Sequence, residues 1–262
     1  MSDFSYRNAR AALLVAHPGH ELRVHHWIET VRPVTFVLTR GDGAHGVSRL
    51  ASTTTILARA GCRPGTIYGR LEDREIYRAV LDRNVTVFEG LVDEIVGELV
   101  ALDIDYLVAD AEEGYNPSHD VCRYVAAAAT LAASRARGQV VRDFDFPLIA
   151  PPDTCPEDRR GDAIRLTLDN EAHARKLRAA HEYPELKGEV DRALEVLGVG
   201  AFRIECLRPV TPDDRRAFDR PFYEEHGARQ VARGLYDEVI RYDQHVRPIR
   251  DGLWVAADAA IR

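Results

Sequence analysis

Several common features are scarce in this chain, and each absence narrows the reading. The four cysteines, Cys62, Cys122, Cys155 and Cys206, lie far apart and form no C-x-x-C pair. That argues against a cysteine zinc site or a disulfide framework, and it fits free thiols in a reducing cytoplasm. No apolar run approaches the roughly 20 residues of a membrane-spanning helix. The polar start, Met1 to Arg10, leads into an apolar stretch too brief for a signal peptide. The expectation is a cytoplasmic protein with no membrane partner. Basic residues do not mass in one stripe. With 35 Lys and Arg against 42 Asp and Glu, the net charge of −7 argues against a nucleic-acid partner. There is no internal repeat, and the one biased run, Ala126 to Ala129, suits a helix.

What is present is a globular composition, 45% hydrophobic and 29% charged over 262 residues, enough for a substantial core. The apolar run Ala11 to Ala16 reads as a buried strand. It ends in Ala16-His17-Pro18-Gly19-His20-Glu21, with two histidines three positions apart on a turn that Pro18 and Gly19 sharpen. Such a pair can serve one metal ion or simply cap a helix. Leu22, Val24, Trp27, Ile28 and Val31 then recur at helical spacing, and Pro33 stops that helix. Val34 to Leu38 is a second strand, followed by a glycine-rich loop carrying Asp42 and His45. A helix over about Val47 to Ala60 precedes a short third strand, Thr66 to Tyr68. A long amphipathic helix, Asn84 to Leu102, leads to a strand at Tyr106 to Ala109. The loop after it holds Glu112, Glu113, Asn116 and His119, and a helix over Val121 to Ala136 closes at Gly138.

This alternation predicts an α/β fold, a Rossmann-like doubly wound and mostly parallel sheet with helices on both faces. Beyond residue 140 the pattern loosens. A strand is expected at Ile164 to Leu168, helices at Glu171 to Ala180 and Glu185 to Leu197, and a strand at Phe202 to Leu207. The aromatic and charged tail, Phe222 to Trp254, should pack back on the domain. We therefore expect one domain over 1–262, with a core of about 10–140 and a C-terminal α+β extension of about 141–262.

Ligands of such sheets bind at the carboxyl ends of the strands, where the strand order reverses. For an order 3-2-1-4 that point lies between strands one and four, whose loops carry His17, His20 and His119. Three imidazoles with a position left for water match a catalytic zinc site. A dinucleotide would instead want G-x-G-x-x-G after strand one, which is absent.

These segments resemble the PIG-L (LmbE-like) zinc-dependent N-deacetylases. That family has A-H-P-D-D-E after its first strand, a T-D-G-x-x-G-like loop after its second, and a later H-P-D-H-like segment opening a helix. The matching stretches are Ala16 to Glu21, Thr39-Arg40-Gly41-Asp42-Gly43, and Asn116-Pro117-Ser118-His119, with a weaker echo in Lys176 to Leu194. The resemblance implies Zn²⁺ or another divalent metal on His17, His20 (where the family has Asp) and His119. It implies a metal-dependent hydrolase of an amide, an N-deacetylase acting on an N-acyl sugar or related small metabolite. The small-molecule partner would be a carbohydrate or similar compound, and a homo-oligomer is left open.

Two departures bear on catalysis. Gly19 stands where the family has its aspartate base, and Asn116 where it has an assisting histidine. Asp120 and Glu113, which flank His119, are therefore the expected proton acceptors, with Glu21 bracing the turn. Asp42, His45, Arg49 and Asn116 are the expected substrate contacts. The alternative is a non-hydrolytic metal- or ligand-binding relative that lost its base with Gly19.

Overall fold

The structure, a computed structural model, describes residues 4–43, 46–211 and 220–259. Seven strands form a sheet in the order β3-β2-β1-β4-β5-β7-β6. At its centre lie β1 (Ala11–Val15) and β4 (Tyr106–Asp110), every residue of which is buried. β1 runs parallel to both β2 (Val34–Thr39) and β4. β3 (Arg63–Leu71) and β5 (Arg142–Phe146) extend the parallel set on either side. β7 (Ile204–Pro209) joins β5 antiparallel, and β6 (Ile164–Thr167) joins β7 the same way.

A parallel sheet covered on both faces calls for continuous apolar strands, because alternate residues enter opposite cores. From β1, Ala12 and Leu14 point into one core with α4 (Val85–Ala101), α5 (Pro117–Arg137) and α9 (Arg247–Ala259). Ala11, Leu13 and Val15 point into the other, against α1 (His25–Val31), α2 (Leu50–Ala60) and α6 (Asn170–His181). The expected order 3-2-1-4 is therefore present, so the loops after β1 and β4 are neighbours at the reversal of strand order.

Two elements go beyond the sequence expectation. α3 (Asp73–Leu81) has a charged sequence with only Ile76, Ala79 and Val80 buried, and a capping box between Glu72 and Glu75 starts it. β5 reads Arg-Asp-Phe-Asp-Phe, a pattern too charged to look like a strand inside a sheet. Its two carboxylates are neutralised by partners remote in sequence, Asp143 by Arg123 and Asp145 by Arg208. The tail does pack back on the domain. α9 lies against α4 and α5, preceded by α8 (Phe222–Ala232) and a π-helical turn, Tyr242–Val246. Between α6 and β7 stands α7 (Lys187–Leu197), flanked by short 3₁₀ turns. Among the described residues, no helix is long and apolar enough to cross a membrane.

Candidate functional site

The loop after β1 turns sharply at Gly19, whose φ of 103° lies in the left-handed region where glycine carries no steric penalty. A 3₁₀ turn, His20–Val24, follows at once. Glu21 holds this corner. It is fully buried, accepts from the Gly19 N–H at 2.7 Å and from the Thr53 hydroxyl at 2.7 Å, and burial pushes its carboxyl up to about 7 against those two bonds. The turn-bracing role expected of Glu21 matches this geometry. Thr53 also pairs with the Tyr183 hydroxyl at 2.9 Å.

On the other side, α5 begins with Pro117 behind its N-cap, Asn116, whose Oδ1 accepts from the Ser118 N–H at 2.9 Å. The first turn then points His119 at the β1 loop. The rings of His17, His20 and His119 meet there, with centroids 5.4 Å (His17–His20), 5.3 Å (His17–His119) and 4.6 Å (His20–His119) apart. The sequence thus placed the three histidines together correctly.

Their hydrogen bonds divide them. Nδ1 of His17 contacts the Thr39 hydroxyl at 2.8 Å and Asp73 Oδ1 at 3.1 Å, while its Nε2 contacts the Ser118 hydroxyl at 2.7 Å. Burial raises the Asp73 carboxyl, but its bonds to His17, Thr39 and the Gly43 N–H outweigh that and hold it below the usual carboxylate range. His20 uses only Nδ1, 2.8 Å from Asp110 Oδ2, the same oxygen that accepts from the Ala16 N–H at 2.8 Å. Its Nε2, and both ring nitrogens of His119, have no hydrogen-bond partner among the described residues. Burial, followed by repulsion from the neighbouring histidines, drives His20 and His119 well below the ordinary imidazole value, so both rings are neutral. Burial lifts Asp110 to about 7.

Asp110 and Asp73 were not among the sequence candidates. Asp110 closes a strand and looks like any acid at a loop entrance, and Asp73 opens a helix that the apolar pattern does not reveal. Both are found only once the fold is known.

The other sequence candidates fall elsewhere. Glu113 is spent on a turn, accepting from the N–H groups of Leu148, Ile149 and Ala150 at 2.8, 2.9 and 2.9 Å. Asp120 is fully buried and accepts from the N–H groups of Glu113 and Gly114 at 3.1 and 3.2 Å, and its Oδ2 has no hydrogen-bond partner among the described residues. Burial, then the nearby Glu112, keep that carboxyl well above its ordinary value. Neither acid is hydrogen-bonded to any of the three histidines, and both serve the backbone of the β4–α5 loop and its neighbour. Asn116 likewise serves the helix, its Oδ1 accepting from Ser118 and, at 3.1 Å, from the Tyr77 hydroxyl. Asp42 accepts from the Asp73 N–H at 2.9 Å at the start of α3. His45 lies outside the described residues.

Arg49 does reach the site. It lines a cavity of about 440 Å³ that opens on His20 and His119, and it sits 3.6 Å from Glu189. Gly19 borders the same cavity, and a Cβ there would come 2.1 Å from Leu186 Cδ1. The space in which an aspartate base would stand is filled by Leu186.

A zinc centre of three histidines needs one free nitrogen from each ring. His17 offers none as arranged. Among the described residues, no group of three or more His, Cys, Asp or Glu side chains is placed to hold a metal ion. The donor set does not fit the expected zinc centre.

No family model and no curated protein sequence matches the chain. Solved structures do match. A deacetylase of the teicoplanin biosynthesis pathway, solved as a "deacetylase-bog complex", is 14% identical over 79% of this chain and 100% of its own, with a TM-score of 0.52. The deacetylase–teicoplanin complex of the same pathway gives 14% identity, the same coverages and a TM-score of 0.51. The A40926 pseudoaglycone deacetylase Dbv21 is 19% identical over 79% of this chain and 99% of its own, with a TM-score of 0.49. The chain has the fold of the LmbE/PIG-L-type deacetylases, as the sequence resemblance implied. At these identities the likeness is one of fold.

Proposed function

We propose that this protein is a hydrolase that removes an acyl group from the nitrogen of a small molecule, with His20 as the proton acceptor. The observation that carries the reading is the Asp110–His20 pair. A buried carboxylate fixes Nδ1 of a neutral imidazole at 2.8 Å and leaves Nε2 without a hydrogen-bond partner among the described residues, beside a cavity. An imidazole oriented by a carboxylate is the usual construction of a general base.

Water held by Nε2 of His20 would give up its proton as it attacks the amide carbonyl. The same nitrogen then returns that proton to the departing amine. The second neutral ring, His119, is 4.6 Å away between centroids, and its N–H can donate to the carbonyl oxygen as negative charge develops there. Arg49 supplies a cation at the cavity wall for a polar group of the substrate. His17, Ser118 and Asp73 form a hydrogen-bonded support that locks the β1 loop onto the start of α5. No step is assigned to zinc, because His17 is already engaged at both nitrogens.

One observation favours a second reading, a ligand-binding relative without hydrolysis: Leu186 has taken the space of the base position at Gly19. Amine release from a panel of N-acylated amino sugars and simple N-acyl amines separates the two. The hydrolase reading expects turnover that His20→Ala removes. Saturable binding of the panel with no amine released would favour the second reading.

A further inference from the structure

α7 carries an apolar stripe, Val190, Ala193, Leu194 and Leu197, at the spacing that places side chains on one helical face. A helix with such a face normally buries it, yet α7 has no buried residue. Its principal contacts are with α6 and with the turns at its two ends. All four stripe residues are half-exposed and line the 440 Å³ cavity, and Leu177 of α6 and Phe202 line it too. Val190 also packs against the core, while Ala193, Leu194 and Leu197 line the cavity.

The polar groups of this cavity include the two neutral imidazoles and Arg23. Arg23 is half-buried, and its Nη1, itself shut off from solvent, has no hydrogen-bond partner among the described residues. Its other terminal nitrogen donates to the Leu148 carbonyl, and its guanidinium lies over the Phe202 ring. An extended aliphatic group fits these apolar walls, and His20 and His119 offer contacts for a polar end.

We propose that the cavity holds the aliphatic chain of a medium- or long-chain acyl group, with the acyl carbonyl at His20 and His119. The substrate class would then be N-acyl amines with chains much longer than acetyl. This deepens the hydrolase reading and rests on it for the placement of the carbonyl, but the chain-binding claim is tested separately. Each methylene taken from water into an apolar wall strengthens binding severalfold, so a partly open cavity should favour octanoyl over acetyl by on the order of 100-fold.

The test is calorimetric titration of the intact protein with N-octanoyl-glucosamine and N-acetyl-glucosamine. It is repeated on Ala193→Trp, which fills the cavity, and on Leu194→Glu, which puts a charge in its wall. Both positions are half-exposed, and melting temperature and circular dichroism check that each variant is folded. The expected result is about 100-fold tighter binding of the octanoyl than of the acetyl compound by wild type, and loss of that preference in either folded variant. Equal affinity for the two compounds, no binding of either, or a preference that survives both substitutions overturns the proposal. Amine release is measured in the same samples. Octanoyl binding that the variants abolish, without cleavage by wild type, leaves this inference standing and removes the hydrolase reading.

Discussion

The two sides of the cavity are built in opposite ways. On the strand side, His17, His20, Glu21 and Asp110 are buried or nearly so and braced by hydrogen bonds between 2.7 and 3.1 Å, with the buried His119 ring from α5 beside them. On the α7 side, an apolar helix face lines the cavity half-exposed, and no residue of α7 is buried. Burial and bracing are what a reacting centre needs, because each group must be held in one orientation and one protonation state. An open apolar face is what a variable hydrophobic ligand needs. The difference suggests that the chemistry is fixed by the sheet and the choice of substrate by the helix.

Substitutions on the two sides should differ accordingly. The largest effect expected is on turnover: His20→Ala should lower it by roughly 10²–10⁴-fold, the usual worth of a general base, with the melting temperature little changed. Steady-state rates of amine release check this, and a loss below tenfold would move the base elsewhere.

Next in size is Gly19→Asp, the substitution that restores the family's residue. With φ at 103° and Leu186 in the way, it should destabilise the fold by about 2–4 kcal/mol and raise turnover no higher than wild type. Leu186→Ala in the same chain should recover part of the stability by removing the clash. A Gly19→Asp protein as stable as wild type in urea would contradict this account of the turn.

Smaller again is the contrast in packing. Leu13→Ala, in the fully buried β1, should cost about 2–5 kcal/mol, whereas Leu194→Ala on α7 should cost under about 1 kcal/mol. Comparable losses would mean that α7 is a core helix after all.

The smallest effect concerns the thiols. Burial pushes Cys62 and Cys206 up to about 12 and Cys122 well above its ordinary value. A raised thiol stays protonated at pH 8.5, and only the thiolate reacts. Iodoacetamide should therefore leave these three unlabelled in the native protein at pH 8.5, as mass spectrometry of the digest would show.

Much of this was legible in the sequence. Apolar runs alternating with amphipathic stretches gave the parallel sheet, and the strand order then brought His17 and His20 to His119. The function of their neighbours was not legible, for three physical reasons. Adjacent residues on a helix point about 100° apart, so Asp120 cannot share the direction of His119 however close it stands in sequence. Asp110 and Asp73 act from a strand end and a helix start, where acids are ordinary. Leu186, which closes the space at Gly19, comes from a turn far along the chain that no local pattern links to the first loop. The family pattern named the loops whose histidines meet, but not the hydrogen bonds made within them.

The most direct test of the central claim is amine release from N-octanoyl-glucosamine by protein stripped with a chelator, wild type beside His20→Ala. The account predicts that wild type cleaves the substrate without added metal and that the variant is slower by roughly 10²–10⁴-fold. Cleavage that vanishes on chelation and returns with zinc would contradict it, because His17 would then have to leave Ser118 and act as a metal ligand.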